Sequence, residues 1–122
     1  MYKNKYIVKS IDLVDLFIQA WYNKITIKKE RLKTMTREQA KQKLDENCKK
    51  AHELDMDVIT FFAVDMITHE IYSLTGFFDS GFEAMQWARS KMVELDKYGV
   101  NYLCYEGGQM YEGSADFKFD ED

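Results

Sequence analysis

Apolar side chains recur along this chain with two different periods, and the changes of period divide it into elements. Val14, Phe17, Ile18 and Trp21 fall at i, i+3, i+4 and i+7. Ser10 precedes them as an N-cap and Asp12 sits in the first turn, which predicts a helix over 11–23. Residues 2–8 before it read as a short strand or an ordered arm. In 24–35 (KITIKKERLKTM), Ile25 and Ile27 alternate with polar neighbours like an edge strand, whereas Leu32 and Met35 fit a continuing helix, and the segment is taken as strand or extended connector. Thr36-Arg-Glu-Gln39 matches a capping box, and Ala40, Leu44, Cys48, Ala51 and Leu54 then mark one stripe, predicting a helix over 37–54.

Beyond it the period shortens. Residues 57–64 (DVITFFAV) are β-branched and aromatic at successive positions, as in a central strand covered on both faces. A turn through Asp65–His69 leads to a second strand at 70–75, with His69 at the turn position that demands a positive φ. Residues 76–81 read as a loop, and Ser80-Gly-Phe-Glu83 as a second capping box. Met85, Ala88, Met92 and Leu95 form the stripe of a helix over 81–98, which Gly99 ends. Residues 100–105 read as a strand, Gly107-Gly108 as a turn, and 109–112 as a return strand. The last residues, about 114–122, read as a frayed acidic tail. The expectation is a single α+β domain over 1–122, an antiparallel sheet with three helices on one face.

Composition adds bounds. A chain of 122 residues with 46% hydrophobic and 15% aromatic side chains suits one globular domain and excludes a disordered one. No apolar run approaches the length of about 20 residues needed to cross a membrane. The run from Ile11 to Ala20 is broken by Asp12 and Asp15 and lacks a cleavage site, so a cytoplasmic location with Cys48 and Cys104 as free thiols is expected. Lysine outnumbers arginine 14 to 3 and proline is absent, a bias of AT-rich coding such as that of low-GC bacteria and their phages.

Catalytic and metal chemistry find little footing. Cys48 and His52 lie at i, i+4, and His69 and Cys104 would complete a two-Cys, two-His zinc set. The set lacks a short Cys-x2–4-Cys spacing, and Cys48 falls on an apolar stripe, where a thiol packs as a small hydrophobe. No Gly-x-Ser-x-Gly elbow or P-loop is present. The expectation is a protein that is not an enzyme and needs no cofactor or metal.

Residues 70–88 (EIYSLTGFFDSGFEAMQWA) resemble the strand–loop–helix junction of AP2-type and integrase arm-type DNA-binding domains. There a strand ends in Gly-x-Phe-Asp/Lys-Ser/Thr and is followed by Glu-Ala and an aromatic on the helix. The resemblance implies a hairpin packed on a capped helix. It does not carry the DNA-reading function, because 57–64 and 70–75 contain no Arg or Lys and bring Asp57 and Glu70 instead, with Asp65 between them.

Charge is distributed unevenly. Residues 1–55 carry 13 basic and 8 acidic side chains (+5), and residues 56–122 carry 4 and 13 (−9). The basic pole lies in 24–43, where Lys28, Lys29, Arg31 and Lys33 are candidate phosphate contacts for a nucleic-acid-binding reading. The acidic pole lies at the C-terminus, where Glu106, Glu112, Asp116, Asp120 and Glu121 alternate with Tyr105 and Tyr111. Carboxylates beside aromatic rings suit docking on a basic surface, with charge steering the encounter. The favoured expectation is a small inhibitor whose acidic half engages a basic nucleic-acid-handling protein, such as a phage or mobile-element anti-defence protein of the anti-CRISPR kind. The opposed poles also allow head-to-tail homo-oligomers.

Overall fold

A computed structural model describes residues 26–32 and 35–122. The strand-or-arm at 2–8, the helix at 11–23 and Lys33 lie outside the described residues. The described chain forms β1 (Thr26–Leu32), α1 (Arg37–Leu54), β2 (Asp57–Val64), β3 (Ile71–Phe78), α2 (Gly81–Lys97), β4 (Tyr102–Glu106) and β5 (Gln109–Gly113). The strands make one antiparallel sheet in the order β1-β3-β2-β4-β5. This is an α+β fold with a five-stranded sheet and two helices among the described residues.

Local chemistry accounts for the boundaries. Thr36 accepts a hydrogen bond from the Gln39 N–H while the Gln39 side chain accepts from the Thr36 N–H, closing the capping box of α1. Ser80 accepts from the Glu83 N–H at the start of α2. His69 turns the β2–β3 hairpin at φ 64°, and Gly99 follows α2 at φ 70°. Within the ambiguous 24–35 segment, the described residues Thr26–Leu32 form a strand that pairs with β3 along its whole length.

Two sequence expectations need correction. Strand β3 runs on through Gly76, Phe77 and Phe78, which were expected in a loop. Gly76 serves there as a gap rather than a breaker, because a Cβ at that site would lie 2.7 Å from the Phe78 ring. Phe77 packs against Ala51 and Val58, and Phe78 joins the cluster on the opposite face.

The helices also occupy both faces of the sheet, not one. Ala40, Leu44 and Ala51 of α1 meet Phe62, Ile71, Val58 and Phe77, whereas Ala84, Ala88 and Leu95 of α2 meet Ile59, Phe61, Leu74 and Cys104. Topology explains this. The connections β1–α1–β2 and β3–α2–β4 each join parallel strands and step over one intervening strand in the same direction. They leave from strands that point opposite ways, so a common right-handed crossover puts their helices on opposite faces. Strand β2 is buried on both sides in consequence, which is why its sequence lacks alternation.

Candidate protein-interaction surface

The sheet places the acidic and basic candidates at different sites. Register puts Glu106 on the face of β4 that carries Cys104 and Tyr102, and it pairs Glu112 directly with Cys104. Both carboxylates are exposed and, among the described residues, neither forms an ion pair. Their field is felt in the core. Burial first, and then Glu106 and Glu112, push the Cys104 thiol up to about 12. The Tyr102 phenol is raised by burial, then by Asp96 and Glu112.

The two tyrosines hold the hairpin rather than project from it. Tyr105 sits on the α1 face with its ring edge-on to Phe62 at 5.8 Å, and burial raises its phenol. Tyr111 is half-buried against the α2-face cluster. The exposed apolar group of this hairpin is Met110, at 60% exposure, which the sequence reading did not single out. Its signal was its place beside Gly107-Gly108 at a strand end, and that does not separate a surface methionine from a core one.

The C-terminal acids are used within the molecule. Residues 114–122 were expected to fray, yet Phe117 and Phe119 are buried against Met35, Leu44 and Ile71. The Asp120 carboxylate accepts from the Met35 N–H, and Glu121 accepts from the Arg37 N–H at 3.2 Å. Asp122 receives the Arg37 guanidinium at 2.8 Å, and that hydrogen bond is the main reason its carboxyl is held below the usual range. Three carboxylates thus gather at the N-terminus of α1, where unpaired N–H groups and the helix dipole favour negative charge. Asp116 alone of the tail acids named as candidates is left exposed without such a contact among the described residues.

The basic run is likewise divided. Alternation sends Lys28 and Glu30 to the α1 face and Lys29 and Arg31 to the α2 face. Arg31 pairs with Asp65 at 3.0 Å and Glu70 at 3.8 Å, and Lys43 pairs with Glu30 at 2.7 Å. Lys29 lies over the Tyr72 ring, its Nζ 4.7 Å from the centroid. Among the described residues of 24–43, neighbouring cations of β1 therefore face opposite ways, and Arg31, Arg37, Lys41 and Lys43 meet carboxylates.

The zinc set is not assembled. Cys48 and His52 line a cavity of about 550 Å³ between the C-terminal half of α1 and the β4–β5 turn, with Ala51, Val58 and Met110. Cys104 is buried on the other face of the sheet, and His69 is in the β2–β3 turn. Burial, then Asp45, raise the Cys48 thiol, the opposite of activation.

Comparison with protein families, with curated proteins and with solved structures finds no match to this chain.

Proposed function

We propose that the protein is a non-catalytic interaction module that presents the β4–β5 hairpin to a basic surface of a nucleic-acid-handling protein. One observation carries this reading. Glu106 and Glu112 remain exposed on one face of an edge hairpin with no ion pair among the described residues, the exposed Met110 lies opposite Tyr105 in the same hairpin and shares a cavity lining with Glu106, and Asp120, Glu121 and Asp122 are spent on α1. Carboxylates there steer a cationic partner, and the methionine supplies an adaptable apolar contact. The concrete form is an inhibitor of the anti-CRISPR kind from a phage or mobile element, in which surface carboxylates occupy the place of nucleic-acid phosphates in the partner's basic groove. The tail acids drop out of the proposed contact, leaving Glu106, Glu112 and Asp116 as its charged members.

The test uses immobilised protein as bait in a low-GC bacterial lysate at low and at high salt. Wild type is expected to retain a basic protein at low salt, and the Glu106→Ser/Glu112→Ser variant to retain about tenfold less of it. The Arg37→Gln variant, altered at the N-terminus of α1 and not at either hairpin carboxylate, is expected to retain it undiminished. Equal retention by wild type and the hairpin variant defeats the reading.

A further inference from the structure

A second cavity, of about 320 Å³, lies at the opposite edge of the sheet from the acidic hairpin. Among the described residues it arises because α2 rests on β2 and β3, not on β1, whose α2 face borders the cavity. Phe61, Ala63, Leu74, Leu95 and Val100 make its floor, and each of these is buried or half-buried. Its rim is polar and cationic. Lys29 rises from β1 and Lys91 from α2, and the rings of Tyr72 and Tyr98 stand at the same mouth. Among the described residues the only carboxylate on the lining is Glu94, whose Oε1 is 2.8 Å from the Lys91 Nζ. Among the described residues that line the mouth, two ammonium groups thus face one carboxylate. Arg31, on the same face of β1, is held by both Asp65 and Glu70, and the Asp65 charge reaches Tyr72, so the wider surroundings are balanced and a carboxylate would be held by the direct reach of Lys29 and Lys91.

We infer that this cavity binds a small amphipathic anion, an aromatic or aliphatic body carrying a single carboxylate. The volume falls in the range of about 300–1,000 Å³ typical of small-molecule sites. An apolar body on the Phe61–Leu95 floor leaves water, and a carboxylate at the rim meets Lys29 and Lys91. The Tyr72 phenol, kept neutral by burial and then by the nearby Asp65 and Glu94, is available as a hydrogen-bond donor to the same carboxylate. Glu94 opposes the ligand, since it competes for Lys91 and repels an incoming anion. This site is independent of the proposed docking of the β4–β5 hairpin.

The probe is naphthalene-1-acetate, with naphthalene-1-acetamide as its uncharged match, titrated into the full chain and followed by NMR and calorimetry. The acid is expected to saturate at millimolar concentration or below, shifting resonances of Ala63, Leu95 and Val100. The amide is expected to bind about fivefold more weakly, roughly one surface ion pair's worth. Lys91→Gln should erase the difference between acid and amide, and Glu94→Gln should tighten the acid while leaving the amide unchanged. Glu106→Ser/Glu112→Ser should bind the acid like wild type, so this site can fail without affecting the hairpin reading, and the reverse. Three results overturn the inference: no saturable binding of the acid, equal binding of acid and amide, or an acid affinity that Glu94→Gln leaves unchanged.

Discussion

Asp120 and Met35 are joined twice: the Asp120 N–H donates to the Met35 carbonyl at 3.0 Å, and the Asp120 carboxylate accepts from the Met35 N–H. This reciprocal pair fastens the C-terminal tail to the residue just before the α1 capping box. The Phe117 and Phe119 rings, edge-to-face at 5.2 Å, fill the space below it. The tail is therefore part of the core. Phe119→Ala should lower unfolding free energy by about 3 kcal/mol, as large-to-small changes at buried rings do. Asp120→Ala should lower it by about 1 kcal/mol, the scale of a lost helix-end hydrogen bond. Urea titration followed by far-UV circular dichroism checks both, and a tail that merely trails in solvent would leave both midpoints at the wild-type value.

Acid should loosen the molecule at two named carboxylates. Asp122 is held below the ordinary range by its hydrogen bond to Arg37, and Asp65 by the backbone N–H groups of Thr68 and Ile67. A carboxyl with a depressed folded-state pKa binds protons more readily when unfolded. Its stabilisation is complete above the unfolded value, about 3.9 for aspartate, and is lost as pH falls through the lower native value. The urea midpoint should thus decline as pH is lowered from about 5 toward 2. Asp122→Asn and Asp65→Asn should each start from a lower midpoint at neutral pH and decline less steeply. Parallel pH profiles for wild type and both variants would contradict this assignment.

The thiols should behave differently. Cys104 is fully buried with its pKa pushed up to about 12, whereas Cys48 is half-buried at the edge of the cavity beside the β4–β5 turn. A Cβ at Gly108 would lie 3.6 Å from the Cys48 sulfur, so the thiol is covered partly by the turn itself. Native protein at pH 8 should take up one equivalent of a thiol reagent, slowly and at Cys48. The second equivalent should appear only in denaturant. Mass spectrometry of the labelled peptides decides this, and early labelling of Cys104 would contradict its placement in the core.

The outlines of this fold were legible where a residue type answers to a single local demand. Thr36 with Gln39, Ser80, His69 and Gly99 each satisfy a cap or a positive φ, and each fixed a boundary close to its observed place. Gly76 misled because a glycine can break a strand or make room inside one. Only the Phe78 ring beside it distinguishes the two. The two-faced placement of the helices was hidden for a different reason: stripes of apolar residues say which side of a helix is buried, not which side of the sheet it covers. The acidic tail was misread since carboxylates near a chain end look alike whether they meet water or a helix N-terminus. The partner on which the distinction depends, Arg37 with Met35, is more than 80 residues away in sequence.

Beneath α1, the side chain of Asn47 spans two strands, its Nδ2 donating to Thr60 Oγ1 at 3.1 Å and Thr75 Oγ1 at 3.3 Å. Thr60 and Thr75 are a cross-strand pair in β2 and β3, and both are buried. The two hydroxyls are buried and the Asn47 amide is half-buried over them, so the loss of the amide strands both hydroxyls. Asn47→Ala should cost about 1–3 kcal/mol, because two buried hydroxyls lose their donor. Replacing all three by apolar residues of like shape (Asn47→Leu, Thr60→Val, Thr75→Val) should cost less than Asn47→Ala alone, since no unsatisfied group remains. Denaturation midpoints of the single and triple variants separate the two outcomes. A triple variant less stable than Asn47→Ala would mean that the amide contributes by joining the helix to the sheet, rather than by satisfying the hydroxyls.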